Sequence, residues 1–242
     1  MHLIIAKNEA EQAVLAADEV EKMIITKPNC CLGLSTGSSP LGMYNELVRR
    51  FDAGKLDFSA VSSINLDEYI GLSHEHPQSF YYYMNNNFFR RINIKPENTY
   101  VASGVGNPEA NIKAFRDRLD EKTIDLLVLG VGADGHLGFN EPGDMLYDRA
   151  HQERLAQKTI EDNSRFFNDL RQVPISALTM GIGEIMRARK LLLIISGEKI
   201  EAAEKLLCNE VITPWCPVTF LKMHQDATVI INRELANELR IA

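Results

Sequence analysis

The sequence predicts one α/β domain with a mostly parallel central sheet and helices on both faces. Short apolar segments typical of buried strands alternate with amphipathic helical segments along the chain. Residues 124–131 form a nearly continuous apolar run rich in Leu and Val, as expected for a strand that is buried on both faces. Because no internal repeat, low-complexity tract or flexible linker interrupts this alternation, we expect residues 1–242 to form a single doubly wound, Rossmann-like domain.

The predicted elements follow one another in the order expected of such a domain. Apolar side chains recur at helical spacing over 9–25, and Pro28 and Asn29 end that helix. A strand at 30–34 precedes a helix that begins after Pro40, a residue suited to a first helical turn. The later predictions are strands at 61–66, 98–102, 124–131, 191–195, 220–222 and 227–232, and helices at 108–121, 176–189, 198–207 and 234–239.

The segment 144–175 differs from the rest because it shows little regular periodicity. A long irregular segment inside a compact domain is often a mobile cover over an active site. We therefore expect a lid at about 144–175.

Composition restricts the kinds of partner that the chain can have. Hydrophobic residues make up 45% and charged residues 24%, with a net charge of -7, which argues against a nucleic-acid-binding surface. The aromatic-rich stretch 78–92 therefore predicts core packing rather than a base-stacking platform. The four cysteines fit no disulfide framework, and the sequence shows neither a signal peptide nor a long apolar segment. We expect a cytoplasmic protein with no membrane partner.

The loop after the apolar run 124–131 carries the densest group of chemically active side chains. Asp134, His136, Asn140 and Glu141 lie within ten residues, so that carboxylates flank one imidazole. Ligands of open α/β sheets bind beyond the carboxyl ends of the strands, which predicts an active-site loop here. Two alternatives remain open: a solvated loop whose acids cap a neighbouring element, and a dinucleotide site, since 130–135 matches G-x-G-x-x-G.

The residues after the strand 30–34 predict an anion-binding turn. Gly37, Ser38 and Ser39 leave backbone N–H groups open and add hydroxyl donors, and the N-terminus of the following helix adds partial positive charge. The Gly-Lys-Ser/Thr ending of a Walker loop is missing. A serine-rich helix cap without a ligand is the alternative.

Three further charged residues are candidates for the same crevice. Asp67 follows the strand 61–66, and the alternative for it is a helix cap or a surface turn. Arg165 in the lid could clamp a phosphate with two hydrogen bonds, or be a solvated surface residue. Lys199 begins a helix where the dipole favours an anion, so it either meets a bound phosphate or lies exposed on the helix surface. No histidine has metal-ligand spacing, and we predict no metal.

Four motifs occur in order along the chain: STGSSP, NLDEY, GVGADGHLGFNEPG and NSRFF. Together they resemble the glucosamine-6-phosphate deaminase (glucosamine-6-phosphate isomerase) family, and the resemblance runs from about Leu32 to the last strand. It implies hydrolytic deamination of glucosamine 6-phosphate to fructose 6-phosphate and ammonia, by an aldose–ketose isomerisation without an organic cofactor.

The resemblance also implies roles for individual residues. Asp67 would be the general base that moves the proton from C2 to C1, and His136 would open the sugar ring. Asp134 and Glu141 would orient the imidazole and hold its charge. The contacts implied for the substrate phosphate are Gly37, Ser38, Ser39, Arg165 and Lys199. Lys199 follows the Ser196-Gly197 turn after one residue, whereas family members usually have one residue more.

Two departures from the family pattern concern assembly and regulation. Allosterically activated, hexameric members carry basic residues after the FNEP loop and a longer C-terminus. Here His151 and Glu153 take those positions, and the sequence stops at Ala242. We therefore expect no allosteric activation and a monomer or small homo-oligomer.

Two rival functions fit the same scaffold. A 6-phosphogluconolactonase has a related GDGH loop, but it hydrolyses an ester without an enolising base, and its loop does not continue as FNEPG. A non-catalytic sugar-phosphate sensor would need only the anion-binding turn, whereas this chain carries four acid–base candidates.

Overall fold

The fold is described from a computed structural model that covers residues 1–167, 169–197 and 199–241. Its centre is a seven-stranded sheet in which all neighbouring strands pair in parallel. From one edge to the other, the strands are β1 (His2–Ala6), β10 (Ala227–Asn232), β9 (Leu191–Ile195), β6 (Leu126–Leu129), β2 (Cys31–Leu34), β3 (Ser62–Asn65) and β5 (Thr99–Tyr100). The parallel sheet confirms the predicted fold class.

Helices cover both faces of this sheet. Along β6, Leu126 and Val128 point into one apolar core, and Leu127 and Leu129 into the other, as the period of two along a strand requires. The first core contains side chains of α1 (Glu9–Thr26), α2 (Leu41–Asp52) and α3 (Phe80–Asn87). The second contains side chains of α4 (Pro108–Glu121), α6 (Ile182–Met186), α7 (Ile200–Leu207) and α8 (Arg233–Glu238).

Local capping explains where several helices begin. The side chains of Asn8, Ser79, Asn107 and Asn232 each accept a hydrogen bond from a backbone N–H of the first turn that follows. In the described part of the chain, no helix is both long and apolar enough to cross a lipid bilayer.

A second, antiparallel sheet was not predicted. It consists of β4 (Asp67–Tyr69), β8 (Ser176–Thr179) and β7 (His151–Arg154), in that order. Only Leu66 separates β3 from β4, so the predicted strand 61–66 ends early and the chain passes from the large sheet to the small one. Asp67 therefore belongs to the small sheet.

The prediction of irregular structure at 144–175 is wrong in part. The segment contains β7 and α5 (Gln157–Asn163), followed by two short 3₁₀ turns. The predicted helix 176–189 is also wrong at its start, because 176–179 forms β8 and only α6 is helical. Both errors have one cause: β7 and β8 are defined by their pairing with each other and with β4, which local periodicity does not report.

Two shorter errors occur near the chain ends. The predicted strand 220–222 lies within a 3₁₀ helix, Pro217–Met223, that begins at a proline whose fixed φ suits a helical turn. The edge strand β1 was missed, although the capping residue Asn8 separates it from α1.

Candidate functional site

A cavity of about 660 Å³ opens at the carboxyl ends of β2, β3, β6 and β9. This is the edge of a parallel sheet at which ligands of doubly wound folds bind. Seven of the nine site residues predicted from the sequence line it: Gly37, Ser38, Ser39, Asp67, His136, Arg165 and Lys199. Asp67 and His136 thus face one space, although Asp67 lies on the small sheet and His136 on a loop that follows β6 of the large sheet.

The turn after β2 forms one end of this cavity, and its backbone is fixed by two tyrosines, Tyr44, which is buried, and Tyr83, which is half-buried. The hydroxyl of Tyr44 donates to the carbonyl oxygen of Ser35, and that of Tyr83 donates to Gly37 O, both over 2.6 Å. Gly37 has φ of 89°, a left-handed conformation that glycine adopts without strain. The turn, residues 35–39, is called the anion cradle below.

Two cationic side chains, Lys199 and Arg165, lie at the anion cradle. The Lys199 ammonium donates to Ser39 Oγ over 3.3 Å, and Ser39 Oγ lies 2.9 Å from Ser196 Oγ, after β9. Burial, together with the nearby Arg165 guanidinium, lowers the pKa of Lys199 to about 8. Two cations that repel each other in a partly buried pocket are stabilised when an anion binds between them.

At the other end of the cavity, two carboxylates flank the His136 imidazole. Nδ1 of His136 lies 2.8 Å from Oδ1 of Asp134 and 3.7 Å from Oε2 of Glu141. Asp134 and Glu141 do not line the cavity, so they contact the imidazole on a side of the ring that the cavity does not reach. With Nδ1 turned toward the acids, the rest of the ring is left to face the cavity.

The charges of these three groups depend on one another. Burial alone would lower the pKa of His136, but Asp134 and Glu141 outweigh it and raise that pKa. Burial would raise the pKa of Asp134, yet its contact with the imidazole lowers it, whereas burial raises the pKa of Glu141. The imidazole is therefore held ready to carry a proton near neutral pH.

Glycines allow this loop to pack closely. A Cβ atom on Gly132 would lie 2.3 Å from Nδ1 of His136, so the ring rests directly on the Gly132 backbone. A Cβ atom on Gly138, where φ is 59°, would lie 2.8 Å from Oγ1 of Thr179 and 3.4 Å from Oδ2 of Asp67. The hydroxyl of Thr179 also accepts the backbone N–H of Phe139, which ties the loop to β8.

Replacement of Gly132 by alanine is expected to push the imidazole out of its position. Because the clash involves the ring rather than a flexible chain end, kcat should fall by about 10²-fold, as expected for a misplacement near 1 Å. The matched control is Gly143→Ala in the same loop, where the nearest atom would be 4.0 Å from the new Cβ. Steady-state kinetics of both variants test this, and equal activities would show that the ring tolerates the methyl group.

Asp67 is the second acid–base group of the cavity. It is 7% exposed and projects from β4 beside Gly138. Burial, with a further contribution from the neighbouring Glu68, raises the pKa of Asp67 to about 8, although His136 opposes the shift. A carboxylate with so high a pKa is a stronger proton acceptor than a solvated one.

Asp134, His136 and Glu141 also form a grouping of possible metal ligands, with donor atoms within 4.8 Å of one another. Two ligand atoms on a tetrahedral zinc ion, each about 2.0–2.1 Å from it, would be roughly 3.3 Å apart. The contact of 2.8 Å between Nδ1 of His136 and Oδ1 of Asp134 is shorter and fits a direct ion pair of imidazolium and carboxylate. The geometry favours proton transfer, and the absence of a metal stays a prediction.

The dinucleotide alternative for 130–135 is wrong. That fingerprint requires a helix to open on its last glycine, whereas the fully described segment 131–140 contains only turns and a short bridge. Sequence reasoning missed four residues that support the site: Glu68, Tyr83, Thr179 and Ser196. Of these, Glu68 lies in the motif NLDEY beside Asp67, and Ser196 lies in the turn before Lys199. No motif marks Tyr83 or Thr179.

A protein-family model for glucosamine-6-phosphate isomerases and 6-phosphogluconolactonase matches residues 6–230. The chain belongs to this family. It is 46% identical to a glucosamine-6-phosphate deaminase of Clostridium perfringens strain 13, over 99% of this chain and 100% of that protein. A second deaminase, from Thermoanaerobacter sp. strain X514, is 44% identical, over 98% of this chain and 94% of that protein.

Solved structures agree with this assignment of family. A structure described as a monomeric glucosamine-6-phosphate deaminase superimposes with a TM-score of 0.95 at 38% identity, covering 98% of this chain and 99% of that one. The 6-phosphogluconolactonase of Thermotoga maritima gives 0.73 at 16% identity, covering 96% and 99%, and shares the fold alone. The description of the family names both of the activities that the resemblance left as candidates.

Proposed function

We propose that the protein converts glucosamine 6-phosphate and water to fructose 6-phosphate and ammonia. The observation that carries the proposal is one cavity that holds the anion cradle, the Asp67 carboxylate and the His136 imidazole. A phosphorylated sugar bound with its phosphate at the cradle would extend toward both acid–base groups. The identity of 46% to a named deaminase over nearly the whole chain supports the same substrate.

Ring opening would be the task of His136. The substrate is cyclic, so a proton must move between the anomeric hydroxyl and the ring oxygen, and an imidazole near neutral pKa can both accept and donate it. Asp134 and Glu141 stabilise the imidazolium during this transfer, at 2.8 and 3.7 Å from Nδ1.

Isomerisation and deamination would follow at Asp67. In the open-chain sugar the carboxylate takes the proton from C2, and the electron pair of that C–H bond forms a C1–C2 double bond. The π electrons of the C1 aldehyde move to O1, which takes up a proton, and an enolamine results. Return of the proton to C1 leaves an imine at C2. Water adds to that carbon and ammonia departs, which gives the ketose. Placement of a base in a dry pocket typically contributes ~10²–10⁴-fold.

Phosphate binding would fall to the cradle and its cations. Gly37, Ser38 and Ser39 offer backbone and hydroxyl donors, and Lys199 and Arg165 supply charge. Arg165 lies in the segment 144–175, between β7 and β8. We therefore keep, as part of this proposal, the prediction that this segment is a lid over the cavity. No step of this mechanism uses a metal or an organic cofactor.

The decisive experiment is incubation of the purified protein with glucosamine 6-phosphate, with separate assays of ammonia and fructose 6-phosphate. Equal amounts of both products are expected. Ammonia without fructose 6-phosphate would contradict the isomerising mechanism. Hydrolysis of 6-phosphogluconolactone instead would favour the lactonase alternative, and tight binding without turnover would favour a sensor.

The pH dependence of kcat/KM is expected to be bell-shaped with a maximum near pH 8, because kcat/KM reports groups of the free enzyme. As the pH falls below the pKa of Asp67, about 8, the base becomes protonated and activity declines. As the pH rises above the pKa of Lys199, also about 8, the ammonium loses its charge and phosphate binding weakens.

The Lys199→Arg variant separates this alkaline limb from ionisation of the substrate. A guanidinium stays charged over the whole range, so the alkaline limb should move to higher pH while the acid limb stays. An alkaline limb that is unchanged in Lys199→Arg would assign it to the substrate amine rather than to the protein.

Three further properties complete the proposal. We infer a monomer or small homo-oligomer acting in the cytoplasm, without allosteric activation. Support comes from the overlap with a structure described as monomeric and from free thiols at all four cysteines. Sedimentation equilibrium across a range of concentrations would test the oligomeric state.

A further inference from the structure

We propose that Glu68 is a positioning residue that links the strand carrying Asp67 to the anion cradle through the first turn of α3. This inference rests on the proposed function, because it assigns to Glu68 a task in the same reaction. Glu68 touches neither the cavity nor the cradle, and it acts through backbone hydrogen bonds.

The first step of the link is the burial and pairing of the Glu68 carboxylate. Its side chain is 0% exposed. Oε1 accepts the N–H groups of Tyr69 over 2.8 Å and Phe80 over 2.9 Å, and Oε2 accepts that of Tyr81 over 3.0 Å. Neighbouring side chains of a strand point to opposite faces, so Glu68 meets α3 while Asp67 faces the cavity.

The second step is that a carboxylate holds the start of α3 from a different element. Phe80 and Tyr81 are the first two residues of this helix, and their N–H groups have no partner inside the helix. A negative charge at this end is favoured by the helix dipole. Both oxygens of Glu68 are used, so β4 and α3 are fixed relative to each other in distance and in angle.

The third step connects α3 to the cradle and to the loop of His136. One turn into α3, the Tyr83 hydroxyl donates to the carbonyl of Gly37 over 2.6 Å. The Phe80 ring packs against Tyr69 with centroids 4.8 Å apart, and stacks on Phe139 at 5.9 Å with an interplanar angle of 5°. Displacement of the first turn of α3 would therefore move the cradle and the loop together.

The charge of Glu68 also affects Asp67. Burial raises the pKa of Glu68 to about 7, against the effect of its three backbone donors, so the group is largely ionised at pH 8. This negative charge raises the pKa of Asp67, whereas His136 from the loop lowers it. The other titratable groups that interact with Asp67 are Tyr44 from α2 and Tyr69 from β4.

The test compares three variants: Glu68→Gln, Tyr83→Phe and Ser79→Ala. Ser79 is the matched control, because its hydroxyl caps the same helix end by accepting the Tyr82 N–H over 3.1 Å, and it donates to the carbonyl oxygen of His74 rather than to β4. Measurements are kcat and KM against pH, and the affinity for inorganic phosphate by calorimetry.

In Glu68→Gln, loss of the like charge should move the acid limb of kcat/KM to lower pH. The amide cannot accept at both ends, so kcat should fall by about ten- to hundredfold and inorganic phosphate should bind more weakly. Tyr83→Phe should weaken phosphate binding by about two- to tenfold through loss of one hydrogen bond, with the acid limb in place. Ser79→Ala should leave both the acid limb and the phosphate affinity unchanged.

The proposal is overturned if Glu68→Gln keeps the acid limb and the phosphate affinity of Ser79→Ala. Should Glu68→Gln fail to fold, Tyr83→Phe decides, since removal of one hydroxyl with no loss of phosphate affinity would break the link. Absence of ammonia release by the unmodified protein would overturn the proposed function. The phosphate affinities of the three variants would still decide whether Glu68 holds the cradle.

Discussion

The Asp67→Asn variant is expected to lose turnover of glucosamine 6-phosphate by about 10²–10⁴-fold while it still binds the substrate. The amide has almost the same shape as the carboxylate but cannot accept a proton from carbon. Exchange of the C2 proton with deuterium from the solvent should therefore cease. Proton NMR of the substrate in D₂O measures this directly, and retained exchange would remove Asp67 as the base.

The same variant is expected to be more stable than the unmodified protein at alkaline pH. The pKa of Asp67 is raised from 3.8 to about 8 in the folded protein. A raised pKa means that the folded state prefers the protonated carboxyl, so stability is lost as the pH rises from about 4 through 8. Asparagine carries no such penalty, and its melting temperature at pH 9 should rise by about 2–4 °C for each kcal/mol recovered.

This stability measurement is a control for the loss of activity. A variant that is inactive and more stable has lost a chemical group rather than its fold. A lower melting temperature at pH 9 than that of the unmodified protein would contradict the burial of a charged Asp67.

The His136→Gln variant is expected to lose about 10²–10³-fold in kcat/KM on the cyclic substrate, because the imidazole that would carry the proton between the anomeric hydroxyl and the ring oxygen is then missing. The defect should lie before enolisation. Rapid mixing with substrate labelled with ¹³C at C1 measures how fast the bound open-chain aldehyde forms. Asp67→Asn should form it at the normal rate, whereas His136→Gln should form it slowly.

The two variants thus control for each other. If His136→Gln opened the ring as fast as Asp67→Asn, the imidazole would have no part in that step. Asp134→Asn should give an intermediate effect, since it removes the carboxylate at 2.8 Å from Nδ1 and so lowers the pKa of His136.

The central strands of the large sheet were predictable because each is recognisable from its own short stretch of sequence. The segments 31–34, 126–129 and 191–195 are buried on both faces, and only apolar or very small side chains fit there. The helices α1 and α4 were predicted as well, α1 from its apolar spacing and from Pro28 and Asn29 after its end. In each case a short window of sequence contains the physical cause of the structure.

The small sheet was not predictable in the same way. Its strands contain three or four residues each, and β4 meets β8 across more than a hundred residues of chain. The sequence DEY at β4 carries two acids, which are poor strand formers in isolation. Its conformation follows from tertiary pairing that no local pattern reports.

The candidate site shows the same contrast. Asp134, His136 and Glu141 lie close together in sequence, so their contact could be anticipated. The contact of Lys199 with Ser39, 160 residues away, follows only from the order of strands β9, β6 and β2 in the sheet. The role of Glu68 was not predicted, because a buried carboxylate that accepts three backbone N–H groups leaves no pattern in the sequence.

The assignment of Asp67 to one sheet, and of the cradle and His136 to loops of the other, has an evolutionary consequence. In the proposed mechanism, the phosphate-binding cradle lies on the large sheet and the base that acts at C2 lies on the small one. A mutation on the three-residue strand β4 could redirect the chemistry while ligand selection stays intact. Such a division of labour offers a physical route by which one ancestral scaffold could give rise to enzymes that deaminate and enzymes that open lactones.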